Sequence, residues 1–176
     1  MSRPRNHKKG QSRKLDPAMH PAKQARAPLP DPRRQVAALV FRISDERGLE
    51  ILLVDSLRTG RAVMPKGWLV AGEDGCEAAA REAYEEAGVR GRIDRKPIGT
   101  YEYWKQRTTQ DELLHVDVYP LEVERQCKKW PEQGRRKLRW LPPTEAAKSV
   151  DEPALATLIR WFAPATTGER SSGSLP

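Results

Sequence analysis

Apolar residues along this chain alternate between two periods. Over residues 35–43 (QVAALVFRI) they run almost unbroken, as in a strand covered on both faces, and residues 49–57 (LEILLVDSL) repeat the pattern. Asp45-Glu46-Arg47-Gly48 between them supplies turn residues, so the pair is predicted to form a hairpin. Thr59-Gly60 breaks the pattern, and residues 62–65 read as a short strand. The period then lengthens. Ala80, Ala83, Tyr84 and Ala87 fall at i, i+3, i+4 and i+7, the apolar stripe of a helix, with Cys76 one turn upstream. Asp74 with Glu77 is expected to cap its start and Gly88 to stop it. Extended patterning returns through Ile98, Thr100, Tyr101 and Tyr103, and again over residues 113–123, where Leu114, Val116 and Val118 oppose His115, Asp117 and Tyr119. Pro120 in that strand reads as a bulge or an edge position. Residues 137–141 form a last short strand closed by Pro142-Pro143, and Thr144-Glu145 opens a helical turn through Ala147. Residues 152–162 (EPALATLIRWF) read as a final helix with Leu155, Leu158, Ile159 and Phe162 as its stripe. Trp140 and Trp161 are expected in the core. This order of elements predicts an α/β fold, a mixed sheet with helices packed on its faces.

The length, 176 residues, suits one domain with a real core. A hydrophobic share of 38% and fifteen prolines place part of the chain outside that core. Residues 1–33 are basic, rich in Pro and Ala and without apolar period, so they read as a flexible arm. Residues 164–176 read as a disordered tail, which leaves 34–163 as the folded domain. Residues 1–34 hold ten Lys and Arg against Asp16 and Asp31, so this stretch carries the entire net charge of +8 and the high pI describes the arm. The arm is either an extension without a role of its own or a contact for polyanions, nucleic acid included. A basic, acid-poor segment also fits an organelle transit peptide, but its prolines and few serines argue against one. Cys76 and Cys127 give no disulfide framework, and Cys76 reads as a small core residue. No apolar window approaches a transmembrane length and the N-terminus lacks a hydrophobic signal, so a cytoplasmic protein without a membrane partner is expected. The sequence carries no signal of oligomeric state.

Chemistry enters with the acidic residues of the first predicted helix. Glu82, Glu85 and Glu86 also fall at i, i+3 and i+4, and are expected to project from one patch off the apolar stripe. A solvated face is the plain reading of three such glutamates. Like charges so close repel one another, and a hard divalent cation would reverse that cost. The wider pattern favours the cation. Gly67, five residues, Glu73, seven residues, then REAYEEAGV (residues 81–89) resembles the Nudix box of the Nudix hydrolases at every fixed position. Ala83 stands where that family usually has a larger aliphatic residue. The resemblance implies a Nudix-type α/β/α sandwich with a mixed sheet, a box helix and a C-terminal helix. It also implies hydrolysis of a phosphoanhydride small molecule with Mg²⁺ or Mn²⁺ as cofactor. By the same resemblance Glu85 and Glu86 match the principal metal ligands, and Glu82 matches a further ligand or the base that orients water. The Gly67 carbonyl matches a backbone ligand, and Arg81 with Glu73 matches an ion pair supporting the catalytic loop. Glu112 is the nearest carboxylate for a base outside the box, and otherwise a loop residue.

Residues 81–91 (REAYEEAGVRG), Pro97-Ile98-Gly99, Trp130-Pro131-Glu132, residues 134–141 (GRRKLRWL) and the last predicted helix together look like the diphosphoinositol polyphosphate phosphohydrolase branch, which also hydrolyses diadenosine polyphosphates. The likeness runs over roughly residues 34–163. That branch has a glycine triplet before its box where this chain has Pro65-Lys66-Gly67-Trp68, adding a cation. Arg34, Ser56, Arg58, Arg61 and Lys66 flank the expected site as candidate phosphate contacts. Ser56 and Arg58 resemble phosphate-contacting positions of the branch. Trp68 either stacks on a base or caps the core, and His115 is a candidate contact on the polar side of its strand. Two other functions stand beside small-molecule hydrolysis. One is an RNA 5′-end pyrophosphohydrolase, which the basic arm would suit; the other is a non-catalytic phosphate-ligand module, which the intact set of glutamates disfavours.

Overall fold

The computed structural model describes residues 33–171 except 107 and 109. The arm before residue 33 and residues 172–176 of the expected tail lie outside the described residues.

The predicted hairpin forms from β1 (Arg34–Ser44) and β2 (Gly48–Asp55), antiparallel, with Ser44 opposite Gly48 at the turn. Two short strands follow, β3 (Ala62–Val63) against β2 and β4 (Lys66–Trp68) against the start of β1. After helix α1 (Gly75–Ala87) come β5 (Val89–Ile93), β6 (Gly99–Lys105), β7 (Glu112–Gln126) and β8 (Leu138–Leu141). Helices α2 (Pro143–Ser149) and α3 (Pro153–Ser171) end the chain, so the last helix runs past the expected end at Phe162 and into the segment read as a tail. Among the described residues the eight strands form one mixed sheet of order β3-β2-β1-β7-β5, with β8 on β2 and β6 on β7. Among the described residues the single parallel pairing joins β1 to β7, which requires the long crossover that carries the helix.

Both faces of the central strands are covered, which is why β1 and β2 read as unbroken apolar runs rather than alternations. Leu39, Phe41, Ile51 and Leu53 pack with Leu155, Ile159 and Phe162 of α3 on one face. Val36, Ala38, Val40, Leu52 and Val54 pack with Ala78, Ala79, Ala83 and Ala87 of α1 on the other. The α/β/α sandwich is therefore present as expected. Small side chains let α1 lie close to β1, and Ala83 is fully buried there.

Three expectations change. Pro120 marks neither a bulge nor an edge: β7 is central, and Pro120 sits where its antiparallel partner switches from β6 to β5. Its missing N–H falls in the gap between those partners, while its carbonyl accepts from Asp94 N at 2.9 Å. Trp161 is not core but 60% exposed, because Phe162, against Phe41 at 4.9 Å between ring centroids, takes the inward position. Asp74 begins α1 with extended backbone but makes no side-chain cap bond, whereas Gly88 ends the helix as expected, at φ 68° with its N–H on the carbonyls of Ala83 and Tyr84.

Candidate active site

The buried face of α1 is rotated from the predicted stripe. Its two inward rows are Ala79-Ala83-Ala87 and Ala78-Glu82-Glu86, so two of the three glutamates lie on the buried side of the helix rather than on a patch off it. Ala80 and Tyr84 are half-buried. The strand β4 explains how carboxylates can sit there. It crosses the start of β1 with Gly67 opposite Val36, against the Glu82 side chain. A Cβ built on Gly67 would lie 2.1 Å from Glu82 Oε1, so a side chain there would displace the carboxylate from its present position.

Each buried acid has a guanidinium. Arg81 Nη1 donates to Glu82 Oε1 at 2.7 Å and to Glu85 Oε2 at 3.4 Å; its Nε donates to Glu73 Oε1 at 3.1 Å and its Nη2 to the Trp68 carbonyl at 3.1 Å. The hydrogen bonds to Glu73 chiefly raise the Arg81 pKa further. The expected Glu73–Arg81 pair is thus in place, and it ties the loop entering α1 to the box carboxylates. Arg136, from the segment before β8, donates from Nη2 to Glu86 Oε1 at 2.6 Å and from Nη1 to the Asp55 carbonyl at 3.1 Å. Lys66 N donates to Glu86 Oε2 at 3.3 Å. Burial raises the pKa of Glu82 against the pull of Arg81, and pushes that of Glu86 up to about 7 against the pull of Arg136.

Glu82 and Glu86 face a cleft of about 410 Å³. The β2–β3 connection contributes Ser56, Arg58 and Arg61, and β4 contributes Lys66, Gly67 and Trp68. Of the predicted substrate contacts, Ser56, Arg58, Lys66 and Trp68 are therefore brought together. Arg34 is not: it pairs with Asp117 at 2.6 Å, on the α1 side of the sheet. Arg61 lines the cleft while bound to Asp151 at 2.9 Å and Glu152 at 3.5 Å. Glu112 and His115 line a separate hollow with Trp104, and His115 pairs with Glu102 at 3.0 Å. Glu85, expected as a principal ligand, is not among the residues lining the cleft, and its side chain is 40% exposed beside Arg81.

Sequence reasoning missed Gln35, Tyr103, Lys105 and Arg136 as cleft residues. Lys66 Nζ donates to Tyr103 Oη at 3.2 Å, and that hydroxyl donates to Gln35 Oε1 at 2.8 Å, giving one polar wall across three strands. Burial lowers the Lys66 pKa, opposed by Glu86, and pushes that of Tyr103 up to about 12. Lys105 Nζ lies over the Trp68 ring at 5.1 Å. Only alternation within β6 pointed to Tyr103 and Lys105, and Arg136 was one basic residue among several in its segment.

Among the described residues, no three His, Cys, Asp or Glu side chains come together as a ready-made metal cluster, and Arg81 and Arg136 each take an oxygen of Glu82 and Glu86. The donor chemistry nevertheless suits a hard divalent cation. Two buried carboxylates line the cleft with Gly67, and burial raises both above the usual carboxylate pKa.

The sequence profile of the NUDIX domain matches residues 33–162. A mitochondrial Nudix hydrolase 12 of Arabidopsis thaliana is 40% identical over 102 residues, covering 56% of this chain and 50% of that protein. Human diphosphoinositol polyphosphate phosphohydrolase 3-beta is 35% identical over 119 residues, covering 66% of this chain and 68% of that protein. The chain spans about half the length of the first two plant relatives it matches. Among solved structures, a binary complex of the C. elegans Ap4A hydrolase shares the fold with a TM-score of 0.58 at 21% identity, covering 77% of this chain and 98% of that one.

Proposed function

This chain belongs to the NUDIX domain family, and from that premise we propose that it is a divalent-metal-dependent pyrophosphohydrolase. Its substrates are phosphoanhydride small molecules, diadenosine polyphosphates or diphosphoinositol polyphosphates in the first place. The observation that carries this reading is the pairing of two buried carboxylates, Glu82 and Glu86, with Arg58, Lys66, Lys105 and Arg136 around one cleft. Anionic phosphates repel a nucleophile, so hydrolysis requires cations on the phosphate oxygens and a carboxylate for the water proton. The named relatives support the two substrate classes, since one is a diphosphoinositol polyphosphate phosphohydrolase by name and a structural neighbour is an Ap4A hydrolase.

Glu82, Glu86 and the Gly67 carbonyl would hold Mg²⁺ or Mn²⁺, with Glu85 at the margin. When bound, the metal supplies charge neutralisation and lowers the pKa of water. The rest falls to side chains. Arg81, anchored on Glu73 and the Trp68 carbonyl, positions Glu82. Arg136 offsets part of the Glu86 charge while anchored on the Asp55 carbonyl. Lys66 and Arg58, both lining the cleft, supply phosphate contacts, and Ser56 adds a hydroxyl.

A hydrolysis panel tests the proposal, with diadenosine polyphosphates, diphosphoinositol polyphosphates, nucleoside triphosphates, nucleotide sugars and 5′-triphosphate RNA, each with Mg²⁺ and Mn²⁺. Turnover of a small-molecule phosphoanhydride that EDTA abolishes, with kcat lower by about a hundredfold or more in Glu86→Gln at unchanged circular dichroism, is the expected result. Absence of turnover across the panel, or an unchanged rate in the variant, overturns it.

A further inference from the structure

The segment that joins β7 to β8 is fastened to the end of α1. Gln126 Nε2 donates to the Ala87 carbonyl at 2.7 Å, and Cys127 N donates to the Gly88 carbonyl at 2.8 Å. Trp130 packs on Gly88, where a Cβ would lie 2.5 Å from the indole ring. Glu132 N donates to the Glu85 carbonyl at 3.0 Å. Carbonyls that a helix end leaves without intrahelical partners are satisfied in this way, and Glu132 is held beside the box helix.

From there Glu132 reaches Arg136. Arg136 Nε donates to Glu132 Oε2 at 2.5 Å, Nη1 to the Asp55 carbonyl at 3.1 Å and Nη2 to Glu86 Oε1 at 2.6 Å. The guanidinium thus spends each of its three nitrogens on a different residue, and its side chain is only 10% exposed. Of the three acceptors, Glu86 lines the cleft, whereas Glu132 and Asp55 do not. Two anchors outside the cleft are enough to fix the plane of a guanidinium. They leave Nη2 as the one nitrogen committed to a cleft residue.

The consequence rests on the metal-dependent reading above. Both oxygens of Glu86 are occupied, Oε1 by Arg136 Nη2 and Oε2 by Lys66 N at 3.3 Å. Glu86 cannot offer Oε1 to Nη2 and to a divalent cation at once, so metal binding there competes with Arg136. A buried guanidinium that loses its carboxylate needs another counter-charge. We propose that Glu132 is that counter-charge and acts as a positioning residue. It keeps Arg136 at the cleft when Glu86 turns to the metal, so that Nη2 is presented to a phosphate oxygen. Charge-assisted hydrogen bonds are about twice as strong as neutral ones, which is why a carboxylate at position 132 holds Arg136 better than an amide of the same shape.

The test reads binding rather than turnover and uses the full-length protein. Mn²⁺ binding is followed through the paramagnetic resonance signal of the free ion. The second probe is imidodiphosphate, titrated as its Mn²⁺ complex and followed by calorimetry. Glu132→Gln is expected to bind Mn²⁺ within about twofold of the parent and imidodiphosphate about tenfold more weakly, at unchanged circular dichroism. Arg136→Gln should show the same loss for imidodiphosphate and bind Mn²⁺ at least as tightly as the parent. Adding Glu132→Gln to Arg136→Gln should then change neither affinity. Arg136→Lys keeps the charge but not the Nε donor, and is expected to match Glu132→Gln while leaving position 132 untouched. Parental imidodiphosphate affinity in either Glu132→Gln or Arg136→Lys overturns the proposal. So does a loss from Glu132→Gln that persists in the Arg136→Gln background, which would make Glu132 a support of its loop alone. A parent protein that binds no Mn²⁺ brings down the metal-dependent reading and this proposal together.

Discussion

At the scale of single residues, Gly67 and Glu82 define one another. The carboxylate occupies the space a side chain at position 67 would need, so Gly67→Ala must displace Glu82 from Arg81 or move β4. Overpacking of this kind costs about 1–3 kcal/mol, and misplacing a catalytic group by an ångström costs about a hundredfold in rate. Gly67→Ala is therefore expected to lower the urea midpoint modestly and kcat severely; an unaffected kcat would show that Glu82 has no part in turnover. Arg81 makes no lining contact with the cleft, yet its guanidinium joins Glu73, Glu82, Glu85 and the Trp68 carbonyl. Under the proposed function it is a positioning residue. Arg81→Lys keeps the charge and loses the fork, so it is expected to lower kcat by about tenfold or more with KM nearly constant. A change confined to KM would instead place Arg81 on the substrate.

At the scale of elements, α1 and α3 show what periodicity can and cannot fix. Both helices begin where the pattern put them, and α1 also ends there while α3 runs on past Phe162, because a period near 3.6 and a stopping glycine are local properties. Which side faces inward is decided by the neighbour. α1 turns Ala79, Ala83 and Ala87 to β1 and brings Glu82 and Glu86 along, since close packing of alanine leaves room for the acids beside β4. α3 turns Phe162 inward and leaves Trp161 out. Phe162→Ala is expected to cost about 3–5 kcal/mol by chemical denaturation, whereas Trp161→Lys should lie within about 0.5 kcal/mol of the parent. Equal costs would show that α3 is seated with a different face inward.

At the scale of the whole molecule, the sheet gathers the cleft from distant parts of the chain. Ser56 and Arg58 follow β2, Lys66 and Gly67 form β4, Tyr103 and Lys105 end β6, and Arg136 precedes β8. Nearly all of the net charge, by contrast, belongs to the arm. Removing residues 1–26 leaves the described domain intact. It is expected to leave the thermal midpoint and the hydrolysis of small substrates unchanged while abolishing most heparin affinity and its salt dependence. Retained heparin affinity would move the polyanion contact to the cations of the folded domain. Among the described residues, no helix is long and apolar enough to cross a membrane.

The sequence by itself determined the family, the order of the helices and of the strands other than β4 and β5, and the box residues Gly67, Glu73, Arg81, Glu82, Glu85 and Glu86. Each of those rests on spacing within a short stretch, and spacing is a property of the chain. Only the tertiary structure decided that Glu82 and Glu86 are buried, that Arg34, Glu112 and His115 stand away from the cleft, and that Gln35, Tyr103, Lys105 and Arg136 line it. Those assignments depend on strand register and on the face each helix turns inward. Both are set by pairing and packing between segments up to about a hundred residues apart, as Arg136 and Gln35 are here, and no local pattern encodes them.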